Sequence, residues 1–239
     1  MTQKKHAKPN TANNDSPEVL EKIIGYHFKD RSLLLLALTH SSYANEQKEK
    51  DFPYNERIEF LGDAVLEIIS SEYLYLNFPE MNEGDMTRRR ASMVCEPTLA
   101  LCAREFGLPA FLRLGRGEEM GGGRNRDSIV SDALEALIGA IYLDGGFEAA
   151  KTFIYEHIFD DIENKRLFVD AKTQLQEIVQ GEEGKVEYIL DREEGPAHMK
   201  CYYVTVCING KPAASASGHS KKAAEQSAAY EALRKIKNA

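Results

Sequence analysis

Glu56, Glu59 and Asp63 stand inside one largely apolar stretch, Asn55-Glu56-Arg57-Ile58-Glu59-Phe60-Leu61-Gly62-Asp63-Ala64-Val65-Leu66. A second stretch, Ser131-Asp132-Ala133-Leu134-Glu135-Ala136-Leu137-Ile138-Gly139-Ala140-Ile141, repeats the anomaly with Asp132 and Glu135. At about 100° per residue, Glu56, Glu59, Asp63 and Glu67 fall within roughly 80° of one helix face, with Ile58, Leu61, Val65, Ile68 and Ile69 opposite. The second stretch has no polar side, because nearly every neighbour from Ile129 to Leu143 is apolar or small, the pattern of a buried helix. An unpaired buried carboxylate is costly, and clustered carboxylates repel one another until a proton or a cation offsets them. All-oxygen ligands suit hard Mg²⁺ or Mn²⁺ better than zinc. Such a set favours metal-assisted chemistry on a phosphate ester. Two plainer arrangements compete: a solvated acidic face for Glu56 to Glu67, and pairing with Arg or Lys for Asp132 and Glu135.

The elements that must hold these groups follow from periodicity. Ser16-Pro17-Glu18 reads as an N-cap, a proline at the first helical position and an acid in the first turn. Helical patterns cover Glu18–Tyr26, Leu33–Ser42, Glu56–Asn77, Thr87–Phe106, Ile129–Leu143 and Phe147–Ile162. Nothing before residue 165 alternates as a strand does, so an all-α domain is expected over 16–164, after a disordered tail at 1–15. A short charged connector at 165–169 leads to a small α+β domain at 170–239. Its order is α-β-β-β-α: a helix at Thr173–Gln180, strands at Val186–Leu190, Lys200–Ile208 and Ala213–Gly218, and a helix at Lys221–Ile236. The residues Arg192 to His198 read as a loop, and Asn209-Gly210 is a strong hairpin signal.

Composition narrows the class. The 239 residues are 43% hydrophobic and 28% charged, enough for real cores in one large or two modest domains. Cys95, Cys102, Cys201 and Cys207 form no CxxC pair and have no His at zinc spacing, so reduced thiols and a cytoplasmic location are expected. No apolar run is long enough to span a membrane, and residues 1–15 lack the apolar core of a signal peptide. The net charge of −8 argues against a generic nucleic-acid binder. The excess is local: residues 1–169 hold 20 Lys and Arg against 28 Asp and Glu, whereas residues 170–239 hold 10 of each.

The last helix breaks a local rule. Ser220 is placed to cap it, yet Lys221 and Lys222 occupy the first turn, where the helix dipole disfavours positive charge. An anion bound there would reconcile lysines, free N–H groups and dipole, and the alternative is a solvated lysine pair. Phe60 also stands out. It projects about 40° from Glu56, away from the apolar stripe, so it is expected to pack on another chain or under a loop of its own.

The Asn55–Ala64 block, Glu83-Gly84-Asp85-Met86-Thr87 and Asp132–Ala140, in that order, resemble the bacterial ribonuclease III family. Lys172-Thr173-Gln174-Leu175-Gln176-Glu177, Gly195-Pro196-Ala197-His198 and Ser220-Lys221-Lys222-Ala223-Ala224-Glu225 are similar to a double-stranded-RNA-binding domain. The likeness covers roughly residues 16–239. It implies a Mg²⁺-dependent endonuclease that cuts both strands of duplex RNA, leaving 5′-phosphates and short 3′ overhangs, with Mn²⁺ as a substitute metal and precursor ribosomal, messenger and transfer RNA as substrates. By motif position, Glu59, Asp63, Asp132 and Glu135 are the metal and water-activating set, Asp63 and Glu135 the most critical to turnover, and Glu56 and Glu83 accessory acids. The family dimerises through the Phe60 segment, which implies a homodimer.

Tyr54, where the family often has His, and the added acid Glu67 are departures that remove no ligand. Duplex RNA is recognised mainly by shape. Thr173, Gln176, Glu177 and Gln180 would face one minor groove and His198 an adjacent one, while Ser220, Lys221 and Lys222 would meet phosphates between them. Arg88-Arg89-Arg90 and the loop Gly121–Arg126 are further candidates for phosphate contact. A catalytically silent RNA-binding scaffold and a phosphohydrolase of small molecules are the competing classes. The intact acids count against the first and the C-terminal pattern against the second.

Overall fold

The computed structural model describes residues 16–49, 51–181, 183–195 and 200–237. Residues 1–15 and His198 lie outside this set. The chain divides into two units, at Asp161 and Ile162. The first contains helices α1 (Pro17–Ile24), α2 (Arg31–Ala37), α3 (Ser41–Asn45), α4 (Glu56–Asn77), α5 (Glu83–Met93), α6 (Glu96–Glu105), α7 (Arg116–Met120), α8 (Asp127–Gly145) and α9 (Phe147–Ile154), the last continuing into one π-helical turn over Tyr155–Phe159. α8 is the axis of this unit. Val130, Leu134, Leu137, Ile138, Ala140 and Ile141 are fully buried, and α2, α4, α6 and α9 all pack on it. An apolar helix surrounded on all sides is the expected outcome of a sequence with no polar face.

Two expected helices are each two. Thr87–Phe106 breaks at Val94–Cys95, because Asn82 starts α5 early by accepting from Asp85 N at 3.0 Å and Pro97 sits in the first turn of α6. Leu33–Ser42 breaks at Thr39, where the backbone turns extended and forms a parallel bridge to Arg113, with His40 N donating to Arg113 O at 3.1 Å and Arg113 N to Leu38 O at 2.8 Å. Ser16 precedes α1 as expected, but its side chain makes no capping bond.

The second unit contains α10 (Ile162–Val169), α11 (Ala171–Gly181), strands β1 (Val186–Glu194), β2 (Cys201–Ile208) and β3 (Lys211–Gly218), and α12 (Lys221–Lys237). The antiparallel sheet has the order β1-β2-β3. The β2–β3 turn is Asn209-Gly210, with φ of 51° and 74°, the left-handed pair that a tight hairpin needs. α12 lies on β2 and β3 and also packs on α11. Ala171, Leu175, Val179, Val204, Val206, Ala224, Ala228, Ala229 and Leu233 make the core.

Two expectations change here. Residues 165–169, read as a connector, are helical within α10, and Gln226 Nε2 donates to Phe168 O at 2.5 Å and Val169 O at 2.6 Å. Arg192, Glu193 and Glu194, read as loop, extend β1 beyond an irregularity between Leu190 and Arg192 and pair with Tyr203, Tyr202 and Cys201. The irregularity hides the strand from a reading by alternation.

Candidate functional site

The acids are brought together by two helices that cross with almost no side chain between them. Gly62 on α4 and Gly139 on α8 face each other there: a Cβ on Gly139 would lie 2.3 Å from Ile58 O, and 3.1 Å from Gly62 N. Glu59 and Asp63 flank Gly62 on one helix, while Asp132 and Glu135 precede Gly139 on the other. Each pair is spaced by one helical turn, so both project from a single side of their helix.

Glu59, Asp132 and Glu135 offer carboxylate oxygens that all lie within 4.8 Å of one another, and all three residues are half-buried. Ser131 Oγ lies 3.4 Å from Asp132 Oδ1. Pairing with Arg or Lys, the plain alternative for these acids, does not occur: no described Lys, Arg or His forms an ion pair with Glu59, Asp63, Asp132 or Glu135. Burial pushes the Glu135 carboxyl up to about 8, and Asp63, Glu59 and Asp132 push it the same way. Burial raises Glu59 to about 7, aided by the charges of Asp132, Glu56 and Asp63. Asp132 is raised as well, by burial first and by Glu96 and Glu56, against the opposing effects of Ser131 and His40. Like charges held close in a half-desolvated place cannot all ionise without a counter-charge, and a hard divalent cation fits this all-oxygen donor set.

Asp63 is exposed, raised by partial burial and by Glu67, and outside the trio that shares one centre. Glu56 is exposed and acts on Glu59 and Asp132 through its charge. Glu67 faces solvent 3.8 Å from Arg90. Glu83 is not among these acids within the chain. It lines a cleft of about 440 Å³ between α4 and α5, with Ile68, Tyr75, Met86 and Arg90, and accepts from Thr87 Oγ1 at 3.2 Å. Two neighbours were missed in the sequence. Glu96 opens α6 and His40 precedes α3, and both act on Asp132 from elements that no local pattern links to it.

Phe60 is 79% exposed, on a side of α4 that also carries exposed Ala64, Ile68 at 57% and Tyr75 at 72%. Ile68 was expected in the apolar stripe, but the buried face of α4 is Ile58, Gly62, Val65, Leu66 and Ile69, rotated away from it. The arginine candidates are largely occupied. Arg124 holds Glu119 through Nε at 3.0 Å and Ala110 O through a second nitrogen at 3.1 Å, and Arg126 pairs with Glu118 at 3.0 Å. Arg88 pairs with Asp85, Arg89 lies 4.1 Å from the Phe78 ring centre, and Arg90 donates to Ser71 Oγ at 2.8 Å.

In the second unit, Thr173, Glu177 and Gln180 are exposed along α11 and Gln176 is half-buried, while Ala171, Leu175 and Val179 take the buried side. Ser220 caps α12, its Oγ accepting from Ala223 N at 3.1 Å. Lys221 and Lys222 are both exposed in the first turn.

A helical unit with a carboxylate cluster at its central crossing shares one chain with an α+β unit built on three antiparallel strands, and the comparisons give the class. Residues 30–162 match the ribonuclease-III-like family model and residues 171–236 the double-stranded RNA binding motif. The chain is 50% identical over 221 residues to "Ribonuclease 3" of Caldanaerobacter subterraneus subsp. tengcongensis, covering 91% of this chain and 96% of that one. It is 45% identical over 234 residues to "Ribonuclease 3" of Bacillus cereus, covering 96% and 95%. Among solved structures, the nuclease domain of ribonuclease III from Campylobacter jejuni matches with a TM-score of 0.56 and 44% identity, covering 61% of this chain and 95% of that domain. A second structure of that domain, whose subject is flexibility in the region involved in dimer formation, has a TM-score of 0.55 and 46% identity, covering 58% of this chain and 93% of the other. The chain belongs to the ribonuclease III family and is an endoribonuclease. Among the described residues no helix is long and apolar enough to cross a membrane.

Proposed function

We propose that this endoribonuclease requires Mg²⁺, replaceable by Mn²⁺, and hydrolyses both strands of double-stranded RNA as a homodimer, leaving 5′-phosphates and short 3′ overhangs. The observation that carries the reading is the half-buried trio Glu59, Asp132 and Glu135, none of them ion-paired to a described Lys or Arg, in a chain that also carries a double-stranded RNA binding motif. Glu59, Asp63, Asp132 and Glu135 hold the cation in this reading, with Asp63 and Glu135 most critical and Glu56 and Glu83 accessory. When bound, the ion polarises the scissile phosphate and lowers the pKa of the attacking water. The protein residues supply the rest. The α4–α8 crossing fixes the spacing of the acids, the apolar body of α8 limits water behind them, and the Glu135 carboxyl holds its proton more firmly than a free glutamate does.

Duplex RNA is engaged by shape: Thr173, Gln176, Glu177 and Gln180 in one minor groove, His198 in an adjacent one, and Lys221 and Lys222 on phosphates beside the Ser220 cap. The homodimer reading is supported by the apolar strip of Phe60, Ala64, Ile68 and Tyr75, since exposed apolar patches mark protein contacts. Precursor ribosomal RNA is the foremost substrate in this reading, with messenger and transfer RNA precursors beside it, in the cytoplasm.

The test is incubation of the purified protein with a perfect RNA duplex in Mg²⁺, in Mn²⁺ and in a chelator, with single-stranded RNA and duplex DNA as controls. Cutting of duplex RNA alone, in the metal arms alone, with 5′ ends that ligate without prior phosphorylation, is the expected result. Equal cutting in the chelator would overturn the metal assignment, and binding without cutting under every metal would make the chain a scaffold.

A further inference from the structure

Lys172 on α11 reaches across to α12. Its Nζ donates to Glu225 Oε2 at 2.6 Å and lies 4.6 Å from the centre of the Tyr188 ring on β1. Glu225 is 17% exposed and Lys172 36%, so the pair is sheltered without being sealed. On α12, Glu225 follows Lys221 by four residues and Lys222 by three, the two separations at which helix side chains meet. A carboxylate released from Lys172 therefore has two cations within reach, and its uncompensated charge would stand beside any phosphate they hold. In the structure both lysines remain exposed, and neither makes an ion pair or hydrogen bond to a described residue. Tyr188 is pushed up to about 12 by burial and by the charge of Glu225, which places its ring and the carboxylate in one electrostatic neighbourhood.

We infer that Lys172 is a positioning residue for duplex binding: it sequesters Glu225 so that Lys221 and Lys222 stay free for phosphates. This rests on the reading that those two lysines meet the RNA backbone. Lys172 itself is turned toward Glu225 and Tyr188.

Equilibrium binding of the full chain to an RNA duplex of about 16 base pairs or more, in a chelator to prevent turnover and across a salt series, tests the inference. Lys172→Met should bind about five-fold more weakly, the scale of one exposed ion pair. Lys172→Arg should bind like wild type. Glu225→Gln alone should bind at least as tightly as wild type, and the Lys172→Met/Glu225→Gln double variant should return to within about two-fold of it. A double variant as weak as Lys172→Met would mean that Lys172 touches phosphate directly or only places α11, and would overturn the proposal. Should Lys172→Met fail to fold, Glu225→Gln decides, because weaker binding by that variant also overturns it. Lys221→Ala/Lys222→Ala in the same series separates the two levels. Unchanged affinity and salt slope there would sink the phosphate reading itself. A weakened pair together with an unrescued double variant would sink only the shielding role.

Discussion

The α-carbon of Gly62 rests against the main-chain carbonyl of Glu135, so close that a Cβ at residue 62 would lie 1.8 Å from that oxygen and 2.9 Å from Gly139 N. The obstacle is backbone and cannot rotate aside. Gly62→Ala should therefore force α4 and α8 apart, at a cost of about 2 kcal/mol or more, and carry Glu59 and Asp63 away from Asp132 and Glu135. Thermal unfolding and cleavage assays on one preparation check this. A variant with both wild-type stability and wild-type cleavage would show that the crossing does not set the site.

Glu135→Gln keeps the side-chain shape and removes its charge. Cleavage of duplex RNA should be lost while duplex binding persists, because the binding motif at residues 171–236 does not contain residue 135. Wild-type cleavage rates at saturating Mg²⁺ would refute the assignment.

Mg²⁺ should stabilise the folded protein by linkage, since the clustered acids exist as a cluster only in that state. Asp132→Ala should erase most of that increment. Calorimetry with and without Mg²⁺ reads it directly, and an equal metal-dependent rise in the variant would place the ion elsewhere.

In chelator, stability should depend on pH with a definite sign. Folding raises Glu135 from 4.5 to about 8 and Glu59 to about 7. A carboxyl raised by folding contributes stability that is complete below its unfolded value and is lost as pH climbs through the folded one. The melting temperature should therefore fall as pH rises from 4.5 toward 8, and less steeply in Glu135→Gln. Parallel curves for the two proteins would remove Glu135 as a source.

Phe60→Ala removes the most exposed aromatic of the α4 strip, and central anchors of an interface often cost 2 kcal/mol or more, roughly. Sedimentation should show a weaker dimer than wild type. A wild-type chain that is monomeric at micromolar concentration would refute the interface.

Much of this was legible in the sequence, and the parts that were not share a cause. Helix α4 begins and ends at the expected Glu56 and Asn77, because its periodicity runs unbroken between clear stops. The turn at Asn209-Gly210 was equally plain, since few dipeptides accept two positive φ angles. The break between α5 and α6 could have been read from Pro97. The break at Thr39 could not, because Arg113 makes it from more than seventy residues away. The same holds for the site. The acids announce themselves by sitting in apolar sequence, whereas the influence of Glu96 and His40 on Asp132 exists only after the chain has folded. Arg124 looked free for RNA because the carbonyl of Ala110 that holds it has no signature in sequence.

The crossing of α4 and α8 also acts as a register lock. Sliding one helix along the other by one turn, about 5.4 Å, would bring Ile58 or Leu66, each with a Cβ, to the place where only a bare α-carbon fits. The distance between the two acid-bearing helices is thus set by main chain, and side-chain repacking has little purchase on it. The spacing of the carboxylates at residues 59, 63, 132 and 135 can therefore change through side-chain length, while the helices that carry them have nowhere to move.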